Sequence, residues 1–160
     1  MMAVPPADTT VLARLYHTTL AAFVGEGHAP HYIELARRLG LPPEATRLAL
    51  HQLASLGLPI WLHPGTDLVA GFAPFSNLPT QYLVSVDGVP GWYGQCGLEA
   101  LAISWLFPGR EVRVAATCLD CGEPLAVRMR DGALLEADPP TIVGHVNVPL
   151  RRWRDSWPAT

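Results

Sequence analysis

Lysine is absent from this chain: all eleven basic residues are arginine, set against 14 acidic ones for a net charge of −3. The arginine-only usage reads as genomic base composition rather than function. The charge balance supplies no large positive field to draw in nucleic acid. Charged residues make up only 16% and hydrophobic ones 49%, the mark of a globular chain rather than a disordered one. No apolar run is long enough to span a bilayer, so no membrane partner is expected. Met1 to Thr10 lacks the basic opening of a secretory leader. Three cysteines, two of them in a C-x-x-C, argue against a secreted disulfide framework. A cytoplasmic location is the default expectation. The 160 residues suffice for one domain or two small ones.

The N-terminal half has helical periodicity. Val11, Leu12, Leu15, Leu20 and Phe23 mark one face of a first helix ending near Gly25 and Gly27. His31 to Leu39 makes a second, stopped by Gly40, and Pro42-Pro43 opens a third over Glu44 to Leu56. Ile60-Trp61-Leu62 and Leu68-Val69-Ala70 then flank a turn and predict a hairpin. This order is a winged-helix arrangement over residues 1–72. The third helix holds one arginine, Arg47, with His51 and Gln52. Residues 1–80 carry four arginines against five acids, a net of −1. Phosphate contact dominates duplex affinity, so no nucleic-acid partner is expected, and a structural or dimer-forming helical domain is favoured.

From residue 73 the pattern becomes α+β: a small antiparallel-sheet domain, 73–160, with one central helix. Tyr82 to Val86, Glu111 to Ala116, Pro124 to Arg130, Leu134 to Ala137 and Ile142 to Val148 read as strands, with Asp131-Gly132 a strong hairpin signal. Cys96 to Phe107 reads as a helix stopped by Pro108-Gly109. Its Leu98, Leu101, Ala102 and Trp105 are expected to pack on the sheet. Cys96, Glu99, Ala100 and Ile103 are expected on another face, toward a pocket.

Cys96 and Glu99 carry the sharpest chemical signal. At i, i+3 on an opening helix, a sulfur and a carboxyl share one face. A thiolate is both nucleophile and soft-metal ligand, a helix N-terminus favours it, and a carboxyl holds or delivers a proton. The pair therefore outlines a site that cleaves a bond to a soft metal, with Cys96 the most reactive thiol. The plainer reading is a buried structural cysteine beside a solvated glutamate. Cys118-Leu119-Asp120-Cys121-Gly122 is the second motif. Two thiolates on such a knuckle form half of a tetrahedral zinc site, and no second pair completes it. It joins two strands, whereas a redox C-x-x-C normally opens a helix. A tight turn with partly buried thiols is the plainer reading; the sharper one has Cys118 or Cys121 joining Cys96 around a metal.

Phe75-Ser76-Asn77-Leu78-Pro79-Thr80, then Trp92-Tyr93-Gly94-Gln95-Cys96-Gly97-Leu98-Glu99-Ala100-Leu101, Leu106-Phe107-Pro108-Gly109 and Cys118-Leu119-Asp120-Cys121 together resemble the organomercurial (alkylmercury) lyase family over roughly residues 70–150. The likeness is particularly to its short members. The family's N-terminal domain is winged-helix-like without a regulatory role. The resemblance implies a mechanism with two cysteines and an aspartate: one cysteine takes the organomercurial, the second helps hold mercury, and the aspartate manages the proton of the leaving carbanion. Cys96 matches the first cysteine, and Glu99 stands where the aspartate is expected. The extra methylene moves the carboxyl by roughly 1.5 Å, and misplacement of ~1 Å can cost ~100-fold in rate. The second cysteine is expected about a dozen residues past the last strand, at or beyond Thr160, and no cysteine follows Cys121. A second thiol then comes from Cys118, Cys121, a partner chain such as a homodimer mate, or a low-molecular-weight thiol. A structural cysteine of the family resembles Cys118, and Cys121 is an addition of short relatives.

Two functions follow. One is an enzyme for small organometallic or carbon–heteroatom substrates, with Cys96 as nucleophile, Glu99 as proton donor and no required cofactor; burial of Glu99 against Leu98, Ile103 and the aromatics is expected to raise its pKa and keep it protonated for that step. The other is a non-catalytic binder of Hg(II), Cu(I) or Zn(II) through Cys96, Cys118 and Cys121. A winged-helix regulator with a metal-sensing second domain is a weaker third, because the charges supply no basic groove. His145 is a further candidate ligand or proton carrier. Trp153 and Trp157 are candidates to cover the pocket or to anchor the C-terminal segment.

Overall fold

The computed structural model describes residues 7–145 together with 149 and 152. Contacts divide the chain into two units, Met1–Phe72 and Ala73–Thr160.

The first unit begins with α1 (Thr9–Glu26), whose start is fixed by the Asp8 side chain accepting from the Thr10 N–H and whose end is set by Gly27 in the left-handed region. α2 (Tyr32–Leu39) is capped by His31 and ends at Gly40, and α3 (Pro43–Ser55) opens on proline. β1 (Ile60–Leu62) and β2 (Val69–Phe72) form an antiparallel hairpin. Leu15, Phe23, Leu35, Leu50 and Phe72 are buried. The Phe72 ring sits 5.0 Å from Tyr16 and 6.3 Å from Phe23, centroid to centroid. Truncating either phenylalanine to alanine would cost about 3–5 kcal/mol. All four arginines of the unit are engaged: Arg14 donates to the Leu39 carbonyl, Arg37 pairs with Glu34, Arg38 with Glu26 and Glu34, and Arg47 with Glu44 and Asp67.

The second unit holds β3 (Phe75–Ser76), β4 (Leu83–Val86), β5 (Val89–Gly94), α4 (Gly97–Ala102), a 3₁₀ turn over Ile103–Leu106, β6 (Glu111–Thr117), β7 (Pro124–Arg130) and β8 (Ala133–Asp138). Its strands lie in the order β3-β5-β4-β6-β7-β8, with every pairing antiparallel. The β4–β5 and β7–β8 hairpins turn on Asp87-Gly88 and Asp131-Gly132, both residues of each pair at positive φ. That is the geometry which selects Asp-Gly at two-residue turns. Val84, Val86, Val112, Ile103 and Phe75 form the core of this unit.

Three sequence expectations change here. The helix expected from Cys96 to Phe107 is α-helical only from Gly97 to Ala102 and then tightens into the 3₁₀ turn. Its faces are also exchanged. Ala100 and Ile103 are fully buried, whereas Leu98 and Trp105 are 59% and 70% exposed. At Ala100 a small side chain is required because the contact is close: a Cβ added at Gly94 would lie 2.5 Å from the Ala100 Cβ. A bulky face could not approach β5 this way. Finally, the strand expected over Ile142 to Val148 is not formed at 142–145, and 146–148 lie outside the described residues. β5, which the Pro90-Gly91 pair concealed in the sequence, is present and pairs on both sides. Among the described residues no helix is long and apolar enough to cross a membrane.

Candidate functional site

β5 delivers the chain to Cys96, and the residues just before it are held from several directions. The Gly94 N–H donates to the Tyr82 carbonyl at 3.1 Å, and the Thr80 hydroxyl donates to the Gly94 carbonyl at 2.7 Å. The Gln95 N–H donates to the Pro74 carbonyl at 3.2 Å. The buried Gln95 side chain donates through Nε2 to the Phe75 carbonyl at 3.0 Å. Cys96 is then the N-cap of α4, extended at φ −145° and ψ 175°, and its carbonyl accepts the first helical bond from the Ala100 N–H at 2.8 Å. Gly97 follows with the Tyr82 ring beside it; an added Cβ there would stand 3.4 Å from the ring and 3.7 Å from the hydroxyl. Gly94, Gln95 and Tyr82 were not singled out from sequence as site residues. The clustered glycines of Gly94-Gln95-Cys96-Gly97 were the available signal for close backbone approach.

Glu99 lies one turn into α4, half-buried, with its carboxyl against the Cys96 sulfur. Burial pushes its pKa from the ordinary 4.5 up to about 7, opposed by a hydrogen bond with Cys96. Near neutral pH this carboxyl is therefore populated in both protonation states. Cys96 departs from the sequence expectation. Burial pushes its thiol pKa up, and the Glu99 carboxylate adds to the rise. The backbone N–H groups of Glu99 and Leu98 pull the other way without prevailing, and no cap hydrogen bond of normal geometry forms. The expected lowering by the helix start is thus outweighed by loss of solvent, as desolvation predicts for a thiolate.

Cys118 and Cys121 sit on the turn from β6 to β7, as the joining of two strands predicted. Cys118 is partly exposed and Cys121 exposed. The Cys118 thiol pKa is lowered, chiefly by the Cys121 and Asp120 backbone N–H groups and then by the Cys121 thiol. The structure thus brings together Cys96 with Glu99, and Cys118 with Cys121. Among the described residues no three of His, Cys, Asp and Glu gather as a metal site. His145 is exposed and outside any strand, and Trp153 and Trp157 lie outside the described residues. Among the described residues, one apolar hollow of the first unit is lined by Leu12, Tyr16 and Leu53 and another by His51, Trp61 and His63; neither includes Cys96 or Glu99.

No curated protein is similar enough in sequence to match the chain. Among solved structures, the crystal structure of the mercury-bound form of MerB2 superposes with a TM-score of 0.60 at 20% identity, over 83% of this chain and 69% of that one. At that identity the likeness concerns the fold. The sequence itself is matched by the family MerB, alkylmercury lyase, over residues 75–159, more than half of the 160 residues, and the chain accordingly belongs to the alkylmercury lyase family.

Proposed function

We propose that the second unit cleaves carbon–mercury bonds by protonolysis, with Cys96 as the nucleophile toward mercury and Glu99 as the group that moves the proton. The observation that carries this reading is the Glu99 carboxyl, held against the Cys96 sulfur and raised to about 7 by burial. A proton carrier works best with a pKa near the operating pH, where it both accepts and donates.

The cleavage steps balance with a single proton. The Cys96 thiol bonds to mercury of an R–Hg–X substrate, X leaves with its electron pair, and the thiol proton passes to the Glu99 carboxylate. Sulfur coordination weakens the carbon–mercury bond and builds negative charge on carbon. Protonated Glu99 then delivers that proton to carbon. R–H leaves, and Hg(II) remains on the Cys96 sulfur with the Glu99 carboxylate beside it. Two incoming low-molecular-weight thiols replace these ligands and carry the metal off as Hg(SR')2; one of their protons returns to the Cys96 sulfur and the other leaves to solvent. Mercury is substrate throughout, and no resident cofactor is needed. The raised pKa of Cys96 fits this scheme, since the thiol proton is the one transferred.

The first unit, three helices and a hairpin, we read as a winged-helix-like structural domain. Its arginines are all engaged, three in ion pairs and Arg14 on a carbonyl. It is expected to show no tight duplex binding at physiological salt; sequence-specific binding that survives added salt would contradict this. The catalytic reading is tested by incubating an aryl- or alkylmercury compound with excess thiol and measuring the released hydrocarbon. Wild type should release it catalytically and Cys96→Ser no faster than thiol alone. Equal release by Cys96→Ser would remove the nucleophile.

A further inference from the structure

Cys118 and Cys121 have no part in the chemistry assigned to Cys96 and Glu99, yet they are arranged as ligands. The turn that carries them is closed by backbone bonds on both sides: Cys118 N–H to the Glu123 carbonyl at 2.8 Å, and Gly122 N–H to the Cys118 carbonyl at 3.0 Å. Gly122 stands at φ 77°, a conformation that costs a residue with a side chain. This curl aims backbone N–H groups at the sulfurs: those of Cys121 and Asp120 toward Cys118, and that of Glu123 toward Cys121. The two thiols lie against each other. The Cys121 sulfur also donates to the Glu123 carboxylate at 3.8 Å. Two adjacent sulfurs on a turn fixed by its own backbone bonds are the arrangement a soft cation requires of its ligands.

We propose that Cys118 and Cys121 form a two-sulfur site for a thiophilic d10 cation, Hg(II) in the first place, separate from Cys96. The coordination number decides the ion. Zn(II) requires four ligands in a structural site; Glu123 touches Cys121, but among the described residues no three or more of His, Cys, Asp and Glu are arranged to hold a metal ion. Hg(II) is satisfied by two thiolates. Binding releases two protons: one from Cys118, and one from Cys121 by way of the Glu123 carboxylate to solvent. No electron transfer is involved. The site is exposed and lies on a hairpin turn, so it exchanges its ion with solution thiols rather than enclosing it.

The proposal stands whether or not Cys96 cleaves anything. The test titrates reduced full-length protein with HgCl2 against a monothiol competitor, following the ultraviolet charge-transfer absorption of the mercury–thiolate bond and the intact mass. Wild type and Cys96→Ser should both hold one Hg(II) at the pair. Holding the ion through two linked sulfurs should exceed the affinity of either Cys118→Ser or Cys121→Ser by roughly 100- to 10,000-fold. Proteolytic mapping of the loaded wild type should place the bridged ion on the peptide containing residues 118–121, which does not depend on any variant folding. Retention of wild-type affinity by the Cys118→Ser/Cys121→Ser double variant would overturn the proposal. So would loss of the tight site in Cys96→Ser, or a mapped ion bridging Cys96.

Discussion

The two thiol regions of the second unit place the same side chain in opposite surroundings. Cys96 follows a buried strand end, is partly removed from water and faces a carboxyl. Cys118 and Cys121 stand on a water-facing turn and face backbone amides. Burial pushes the first thiol up, and the amides bring Cys118 down. Thiolate character is therefore not set by the residue or by a nominal helix start. It follows from the balance between lost solvation and gained N–H donors. The buried region suits a thiol that gives up its proton in the course of a reaction, and the exposed region suits a standing ligand.

The contrast is most strongly broken by removing the carboxyl. Glu99→Gln keeps the shape beside Cys96 and removes the proton carrier, so hydrocarbon release should fall by about 100- to 10,000-fold, while capture of an organomercurial at Cys96 persists. Rapid-quench measurement of the two steps distinguishes this from simple loss of binding. The second effect is on thiol labelling. With a small neutral alkylating agent near neutral pH, Cys118 should react before Cys96, by roughly three- to fourfold for each pKa unit that separates them, since the gain in thiolate is partly offset by its lower nucleophilicity. Peptide mass mapping at early times reads the order, and Cys96 labelled first would reverse the comparison.

A third effect is mechanical. Gly94→Ala places a methyl where the Ala100 Cβ, Cα and N lie 2.5, 2.7 and 3.0 Å away. Backbone cannot yield cheaply, so unfolding free energy should drop by about 1–3 kcal/mol. Cleavage should fall further than stability, because α4 carries both Cys96 and Glu99. The smallest effect is a pH dependence. The Glu99 pKa is raised from 4.5 to about 7, so the fold favours its uncharged form. Its contribution is fully present below 4.5 and is lost as pH rises through about 7. Partial exposure limits the loss to about 1–2 kcal/mol. Urea titrations should show Glu99→Gln gaining on wild type between mildly acidic and mildly alkaline pH. Parallel curves for the two proteins would contradict burial of the charge.

Much of the framework was legible because it rests on local rules. Gly27 and Gly40 end helices by left-handed caps, Pro43 opens α3, and Asp-Gly pairs close two hairpins. Each of these residues favours its structure by its own backbone preference. What escaped depends on tertiary contact. β5 contains Pro90-Gly91, which locally argues against a strand, yet it pairs with β3 and β4. The faces of α4 were exchanged because apolar periodicity selects the larger side chains, whereas the close approach of Ala100 to Gly94 selects the smaller. The Cys96–Glu99 pairing was visible as an i, i+3 spacing. A Glu99 pKa raised by burial was expected and is found; the rise at Cys96 was not, because desolvation depends on what packs over a group rather than on its neighbours in sequence.

The most direct measurement is a single turnover of an arylmercury substrate in a Cys118→Ser/Cys121→Ser background, which leaves Cys96 as the sole thiol. Intact mass follows the protein and chromatography follows the hydrocarbon. The account predicts that the R–Hg adduct on Cys96 gives way to bare Hg(II) as R–H appears in equal amount. With Glu99→Gln added, the adduct should accumulate and R–H should not. An adduct that never yields hydrocarbon with Glu99 in place, or hydrocarbon released at the same rate with Glu99→Gln, would contradict proton transfer by this pair.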